Sequence, residues 1–234
     1  VDKDLVNKFN FTSANSINIS RWIPQMLYYF FAYRQIQKGS EKVSFSIPSG
    51  NYGNLFSCLL SRKLGLPIKN IISANNINNP VEKYILTGKY KPQPSKRTLS
   101  NAMDVGSPSN FVRVKELFES NLDKISQVMY GYSFSDSETV DAIKELIDKY
   151  KYTCDPHGAI GYLGAKKHLI NNPESEIIFL ETAHHSKFHE ETKSFINQEF
   201  EIPIQLKNII GKECNSVSIK DFKEFREYIE LTLR

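Results

Sequence analysis

Apolar positions in this chain fall into short runs whose period changes from one run to the next. The segment SANSINISRWIPQMLYYFFAYRQIQ (13–37) passes from a polar loop into an aromatic-rich run that predicts a buried helix ending near Gly39. KVSFSI (42–47) predicts a strand, and Asn54 to Leu64 a helix with Leu55, Leu59 and Leu60 on one face. Gly65 reads as its C-terminal cap and Pro67 as its stop. IKNIISA (68–74) predicts the next strand, so strand, helix and strand form a βαβ unit with parallel pairing and a right-handed crossover.

Residues 75–110 are rich in Asn, Pro, Gly and Ser and predict a long irregular connection, with one short helical piece near Val81 to Leu86. Helical spacing returns at 109–130 and 136–150, and again in HGAIGYLGAKKHL (157–169), where Gly158, Gly161 and Gly164 permit close packing. EIIFLET (176–182) predicts a strand ending at Thr182, followed by a helix from about Lys187. IKDFKEFREYIELTLR (219–234) predicts an amphipathic surface helix. The order of elements defines an α/β fold, a mostly parallel sheet flanked by helices. No repeat, low-complexity tract or clear linker divides it.

Composition narrows the function classes. Thirty basic against 26 acidic residues give a net charge of +4, spread along all 234 positions, which argues against nucleic acid as a partner. Cys58, Cys154 and Cys214 are odd in number and far apart, which suits a reducing compartment rather than a disulfide or zinc framework. The most apolar run, Trp22 to Tyr33, falls short of the about 20 residues that span a bilayer. A soluble, cytoplasmic protein with no membrane partner is expected. The first residue is valine, and VDKDLVNKFNF has the look of a continuation, so a fragment is expected.

The candidate chemistry concentrates where the first strand meets its helix. In SGNYGN (Ser49, Gly50, Asn51, Tyr52, Gly53, Asn54) two glycines allow close backbone approach, and successive N–H groups at a helix start attract an anion. There is no Gly-Lys-Ser/Thr, and G-x-x-G spacing fails the dinucleotide fingerprint, so a cofactor or substrate phosphate competes only with a plain packing turn. Elsewhere His184, His185 and His189 stand beside Glu190 and Glu191. His185 and His189, four apart, could share a helical face, but there is no His-Glu-x-x-His and no specified third ligand, so no metal is expected. Asn15, Ser16 and Asn18 either touch substrate or serve the next helix, Asn15 or Ser16 as its N-cap. Asp104 is either an active-site group or a satisfier of loop N–H groups, and His157 either lines a cleft or packs at a helix start.

Five motifs, SANSINISR, PSGNYGN, NAMDVGSPSNFVR, DPHGAIGY and ETAHHSKF, resemble in order and spacing the C-terminal half of the threonine synthase family. The resemblance covers essentially the whole chain. It implies the pyridoxal 5'-phosphate (PLP) dependent fold type II, like the tryptophan synthase β subunit, left incomplete without an N-terminal half. It implies that Ser49 to Asn54 hold the cofactor phosphate through the backbone, with Tyr52 where phenylalanine is usual. It implies that Thr182 faces the pyridine nitrogen, in a motif where His185 and Ser186 replace Pro-Ala. The family converts O-phospho-L-homoserine and water to L-threonine and phosphate. Its Schiff-base lysine belongs to the N-terminal half, so residues 1–234 are a C-terminal portion, inactive alone and partnered by that missing portion. An inactive phospho-ligand-binding relative and another lyase of this fold, such as threonine dehydratase, are the alternatives.

Overall fold

The computed structural model describes residues 2–36, 43–188, 192–196, 202–208, 211–213 and 215–233. They fall into two compact units, one of residues 15–200 and one of residues 1–14 with 201–234. The larger unit carries a four-stranded parallel sheet, with β1 Val43–Pro48, β2 Ile71–Asn75, β3 Met129–Ser133 and β4 Glu176–Phe179 in the order β3-β2-β1-β4.

β1 is buried from Val43 to Ile47 and yet alternates. Val43, Phe45 and Ile47 join a core built with helices α2 (Trp22–Arg34), α3 (Gly53–Lys63), α4 (Pro80–Thr87), α5 (Phe111–Leu117) and α6 (Leu122–Ser126). Each such side chain contributes about 1.5–3 kcal/mol by leaving water. Ser44 and Ser46 lie on the other face, where the Ser46 hydroxyl donates to the Gly161 carbonyl at 2.6 Å. Gly161 belongs to α8 (Pro156–Asn171), which with α7 (Asp136–Tyr150) covers that face. A Cβ at Gly164 would lie 2.6 Å from Ser46 Oγ and 2.8 Å from Ala74 Cβ, so glycine is what lets α8 sit this close.

The long helical pattern expected over 109–130 is broken. Glu119 and Ser120 both adopt φ +55°, separating α5 from α6, and residues 129–133 form β3. The period-two sequence Met-Tyr-Gly-Tyr-Ser is the strand signal, and Gly131 admits the backbone of α4 at Glu82. The strand expected to run to Thr182 stops at Phe179, after which Glu181 turns to bond Asp155 and Tyr152. α3 ends at Lys63 with Leu64 as its C-cap and Gly65 in the left-handed region, and α7 spans 136–150 behind a Ser135–Glu138 capping box. α2 ends at Arg34, and Gly39 lies outside the described residues. After β4 the chain makes a 3-10 turn, His185–Phe188, and the continuation expected as helix leaves the described residues at 189.

In the smaller unit α1 (Lys3–Phe9) is N-capped by Asp2, whose carboxylate also pairs with Arg226 at 2.8 Å. Arg226 lies on the C-terminal helix Phe222–Thr232. Among the described residues no helix is long and apolar enough to cross a membrane. Cys58 and Cys154 are buried free thiols, and Cys214 is outside the described residues.

The winding of the sheet locates its ligand crevice. From β1 the chain proceeds through β2 to β3 on one side, then returns through α7 and α8 to place β4 on the other side of β1. The direction reverses between β1 and β4, and the crevice of an open parallel sheet lies at the carboxyl ends of such strands.

Candidate functional site

The turn from β1 into α3 stands on one side of that crevice. Ser49 N–H donates to the Ala74 carbonyl at 2.8 Å and its hydroxyl to the Ile47 carbonyl at 2.8 Å. Tyr52 takes φ +64°, the left-handed region that a side chain rarely adopts, and serves as the N-cap of α3 without a side-chain bond to the helix. What holds it there is its buried phenol, 2.7 Å from Ser73 Oγ and receiving the Asn75 amide at 2.9 Å, while that amide also donates to the Ser49 carbonyl at 2.8 Å. Burial pushes the phenol well above the ordinary range, with the Ser73 and Asn75 bonds acting the other way.

The asparagine side chains of the turn are equally committed. Asn54 Oδ1 accepts from the Tyr29 hydroxyl at 2.6 Å. Asn51 Oδ1 accepts from the Ser109 N–H at 2.7 Å and hydroxyl at 3.0 Å, while its amide donates to Ser16 Oγ at 2.9 Å. Asn110 donates to the same Ser16 oxygen at 3.2 Å. With these bonds made, the backbone N–H groups of Gly50, Asn51, Tyr52, Gly53 and Asn54 have no protein acceptor among the described residues. They lie at the positive end of an 11-residue helix. A Cβ at Gly50 would be 2.8 Å from Met103 Cα, so this turn has no room for a side chain there. Three side chains committed to the protein and two glycines thus leave five successive backbone donors, a pattern that suits an anion.

The other residues singled out from sequence sort clearly. Ser16 is tied directly to the turn through Asn51. Asn18 caps the 3-10 turn Ile19–Arg21 at the entrance to α2, the capping role expected of Asn15 or Ser16, while Asn15 Oδ1 accepts from Ile17 N–H and the Ser16 hydroxyl. Asp104 accepts from Asn76, Asn78 and both donors of Thr98 at 2.7–3.1 Å, which makes it the clasp of the 76–104 connection. His184 and His185 stack with centroids 4.1 Å apart, and His184 Nδ1 is 2.8 Å from Ser186 Oγ. His189 and its two glutamates lie outside the described residues. Among the described residues no three metal-ligating side chains converge.

Across the crevice, Phe179 pairs with Ser46 and Leu180 N–H donates to the Ser46 carbonyl at 3.0 Å. Thr182 is exposed and lies three residues beyond the end of β4. Beside Thr182 is a cluster that the sequence reading did not assemble. Glu181 Oε1 accepts from Asp155 N–H at 2.9 Å and Oε2 from the Tyr152 hydroxyl at 3.2 Å. Asp155, the N-cap of α8, accepts on Oδ1 from His157 N–H and from His157 Nδ1, both at 2.6 Å. Burial, then the Asp155 charge, raises the Glu181 carboxyl to about 7. The sequence signal for half of this was Asp-Pro ahead of a helical run; Glu181 opens the ETAHHSKF motif, but no role was read for it.

A parallel sheet with this winding and an anion turn at its switch point defines the class first. The fold is that of the PLP-dependent fold type II enzymes: an L-serine ammonia-lyase from Rhizomucor miehei superposes over 75% of this chain and 56% of its own at TM-score 0.57, with 13% identity. The particular likeness is to threonine synthase. The family described as threonine synthase, C-terminal, matches residues 158–229. Threonine synthase from Escherichia coli (strain K12) is 38% identical over 206 residues, covering 88% of this chain and 47% of that protein. The crystal structure of threonine synthase from Escherichia coli gives TM-score 0.90 at 34% identity over 98% of this chain and 53% of that one. The PLP-bound threonine synthase from Brucella melitensis gives 0.88 at 27% identity, over 98% and 55%. The chain spans about half the length of the curated relatives it matches, and along nearly all of its own length it is similar to the C-terminal portion of threonine synthases.

Proposed function

We propose that this chain is the C-terminal portion of a threonine synthase and builds the phosphate end of a PLP site, in an enzyme converting O-phospho-L-homoserine and water to L-threonine and phosphate. The observation that carries the proposal is the row of backbone N–H groups from Gly50 to Asn54, without a protein acceptor among the described residues and at a helix N-terminus. Their chemistry fits a phosphate, since donors fixed by side-chain bonds within the protein meet its charge without reorganising. Bound there, PLP would supply the electron sink that amino-acid chemistry at Cα and Cβ needs.

The roles of the chain's own residues follow. Ser49 fixes the turn to β2, Asn51 and Asn54 fix it to the 109–110 segment and to α2, and the backbone of 50–54 binds. Thr182 offers a hydroxyl to the ring nitrogen; unlike a carboxylate, it does not hold that nitrogen protonated. Asn15, Ser16 and Asn18 form the substrate-side wall, held to the turn through Ser16. We place the lysine that holds the cofactor in the portion of the relatives that this chain does not span. The chain alone is then inactive, works with that portion as its partner, and acts in the cytoplasm.

Phosphate release from O-phospho-L-homoserine tests this, measured with PLP on the protein isolated whole from its own cells and on the 234-residue chain alone. Release by the whole protein and none by the chain is expected. Turnover by the chain alone would show that the lysine is misplaced here. A whole protein that binds PLP and releases nothing is a phospho-ligand-binding relative.

A further inference from the structure

Four described buried side-chain polar atoms lack any hydrogen-bond partner, and two of them, Asp155 Oδ2 and His157 Nε2, sit in one cluster. Asp155 is fully buried and His157 only 4% exposed. His157 Nδ1 is bonded to Asp155 Oδ1, so Nε2 is the ring atom left without a partner. Unmet buried groups in an otherwise satisfied cluster are characteristic of functional positions rather than packing.

The cluster grips both ends of one short segment. At its start, Glu181 is bound by Asp155 N–H and the Tyr152 hydroxyl. At its end, the His157 ring packs on Phe188 with centroids 4.7 Å apart. Thr182 lies inside this segment, one residue from Glu181. Gly158 completes the seat, since a Cβ there would overlap Glu181 Oε2.

We propose that Asp155, His157 and Glu181 at the N-terminus of α8 form a clamp that positions Thr182 for the ring end of the cofactor. The proposal rests on the role given to Thr182 above, and the three are positioning residues, acting through it. The groups that face the Glu181 carboxyl are Tyr152 and Cys154 on the approach to α8 and Asp155 at its start, while His185 on the following turn faces Asp155 and His184. A proton on Glu181 removes its repulsion with Asp155 and adds a donor to a cluster short of them. With the carboxyl raised to about 7, mainly by burial, the clamp is firm below that pH and loosens above it.

The test uses the whole enzyme with PLP bound, and the Glu181→Gln, His157→Gln, Thr182→Ala and doubly substituted variants. Two spectra separate the ends of the site: the cofactor's absorption band reports the ring, and its phosphorus resonance reports the phosphate. Expected are an absorption step near neutral pH that Glu181→Gln abolishes, a band shift in His157→Gln not additive with that of Thr182→Ala, and a phosphorus resonance unmoved in both. As a readout without cofactor, melting of the apoprotein from about pH 5 to about pH 8 should lose its downward slope in Glu181→Gln relative to wild type. An unchanged band with PLP bound, or full additivity with Thr182→Ala, overturns the clamp. If Glu181→Gln does not fold, Gly158→Ala, which dislodges the carboxyl while keeping its charge, must shift the band or the proposal fails. Failure of wild-type protein to bind PLP at all would instead remove the proposed function.

Discussion

The two walls of the crevice work by opposite means. On the β1 side every side chain of the turn is occupied in holding the turn, and the backbone faces outward. On the β4 side the hydrogen bonds run through side chains, those of Glu181 and the Asp155–His157 pair, next to the Thr182 to which we assign a role. A wall that binds through its backbone tolerates changes of side chain, provided the fold of the turn survives. A wall that acts through side chains tolerates almost none. Tyr52 illustrates the first case: the resemblance led to phenylalanine there, and the extra hydroxyl is taken up by Ser73 and Asn75 without disturbing the outward N–H.

The contrast can be broken most sharply at Gly50. Gly50→Ala forces a Cβ to 2.8 Å from the Met103 backbone. Overpacking of this kind destabilises by about 1–3 kcal/mol. Because the turn itself must move, PLP affinity should fall about 10- to 100-fold by titration, while the absorption band of whatever cofactor binds keeps its position. Thr182→Ala should do the reverse. Thr182 is exposed, so melting should change by less than about 0.5 kcal/mol while the bound cofactor's spectrum shifts. An unmoved spectrum removes the assignment of that residue.

Stability against pH sharpens the β4 side. The folded chain keeps a proton on Glu181 that the unfolded chain releases between 4.5 and about 7. Folding stability from this group is therefore greatest below that window and declines as pH rises through it. The difference between wild type and Glu181→Gln isolates the contribution from that of His185, which burial shifts downward and which acts with the opposite slope. The smaller effects belong to the tolerant wall. Tyr52→Phe should lose about 1 kcal/mol in denaturant melts, with PLP affinity changed less than about threefold. Ser16→Ala removes the shared acceptor of Asn51 and Asn110 and should have an effect near or below that of Tyr52→Phe.

These differences explain what could be read in advance. α7, α8 and the β1–α3–β2 unit were legible from helical spacing and from a Gly-Leu-Pro stop; the capping box of α7 and the Asp155 cap of α8 agree with that reading. β3 was hidden because Leu117, Leu122, Ile125 and Val128 continue a helical spacing across a break made by Glu119 and Ser120, residues that seldom mark one. The glycine-rich turn announced itself because backbone binding leaves a compositional trace. The Glu181–Asp155 contact spans 26 residues and uses common residue types, so only the folded chain brings it to view.

The knot around Ser16 has a kinetic consequence. Its bonds join Asn51 to Ser109 across 58 residues and Ser16 to Asn110 across 94. Closing loops of that span comes late in folding, after local helices and hairpin-scale contacts have formed. A refolding chain should regain its helical signal first and its capacity for phosphate last. Ligand capture therefore reports completed assembly of this unit, and a half-folded chain has little to offer the cofactor.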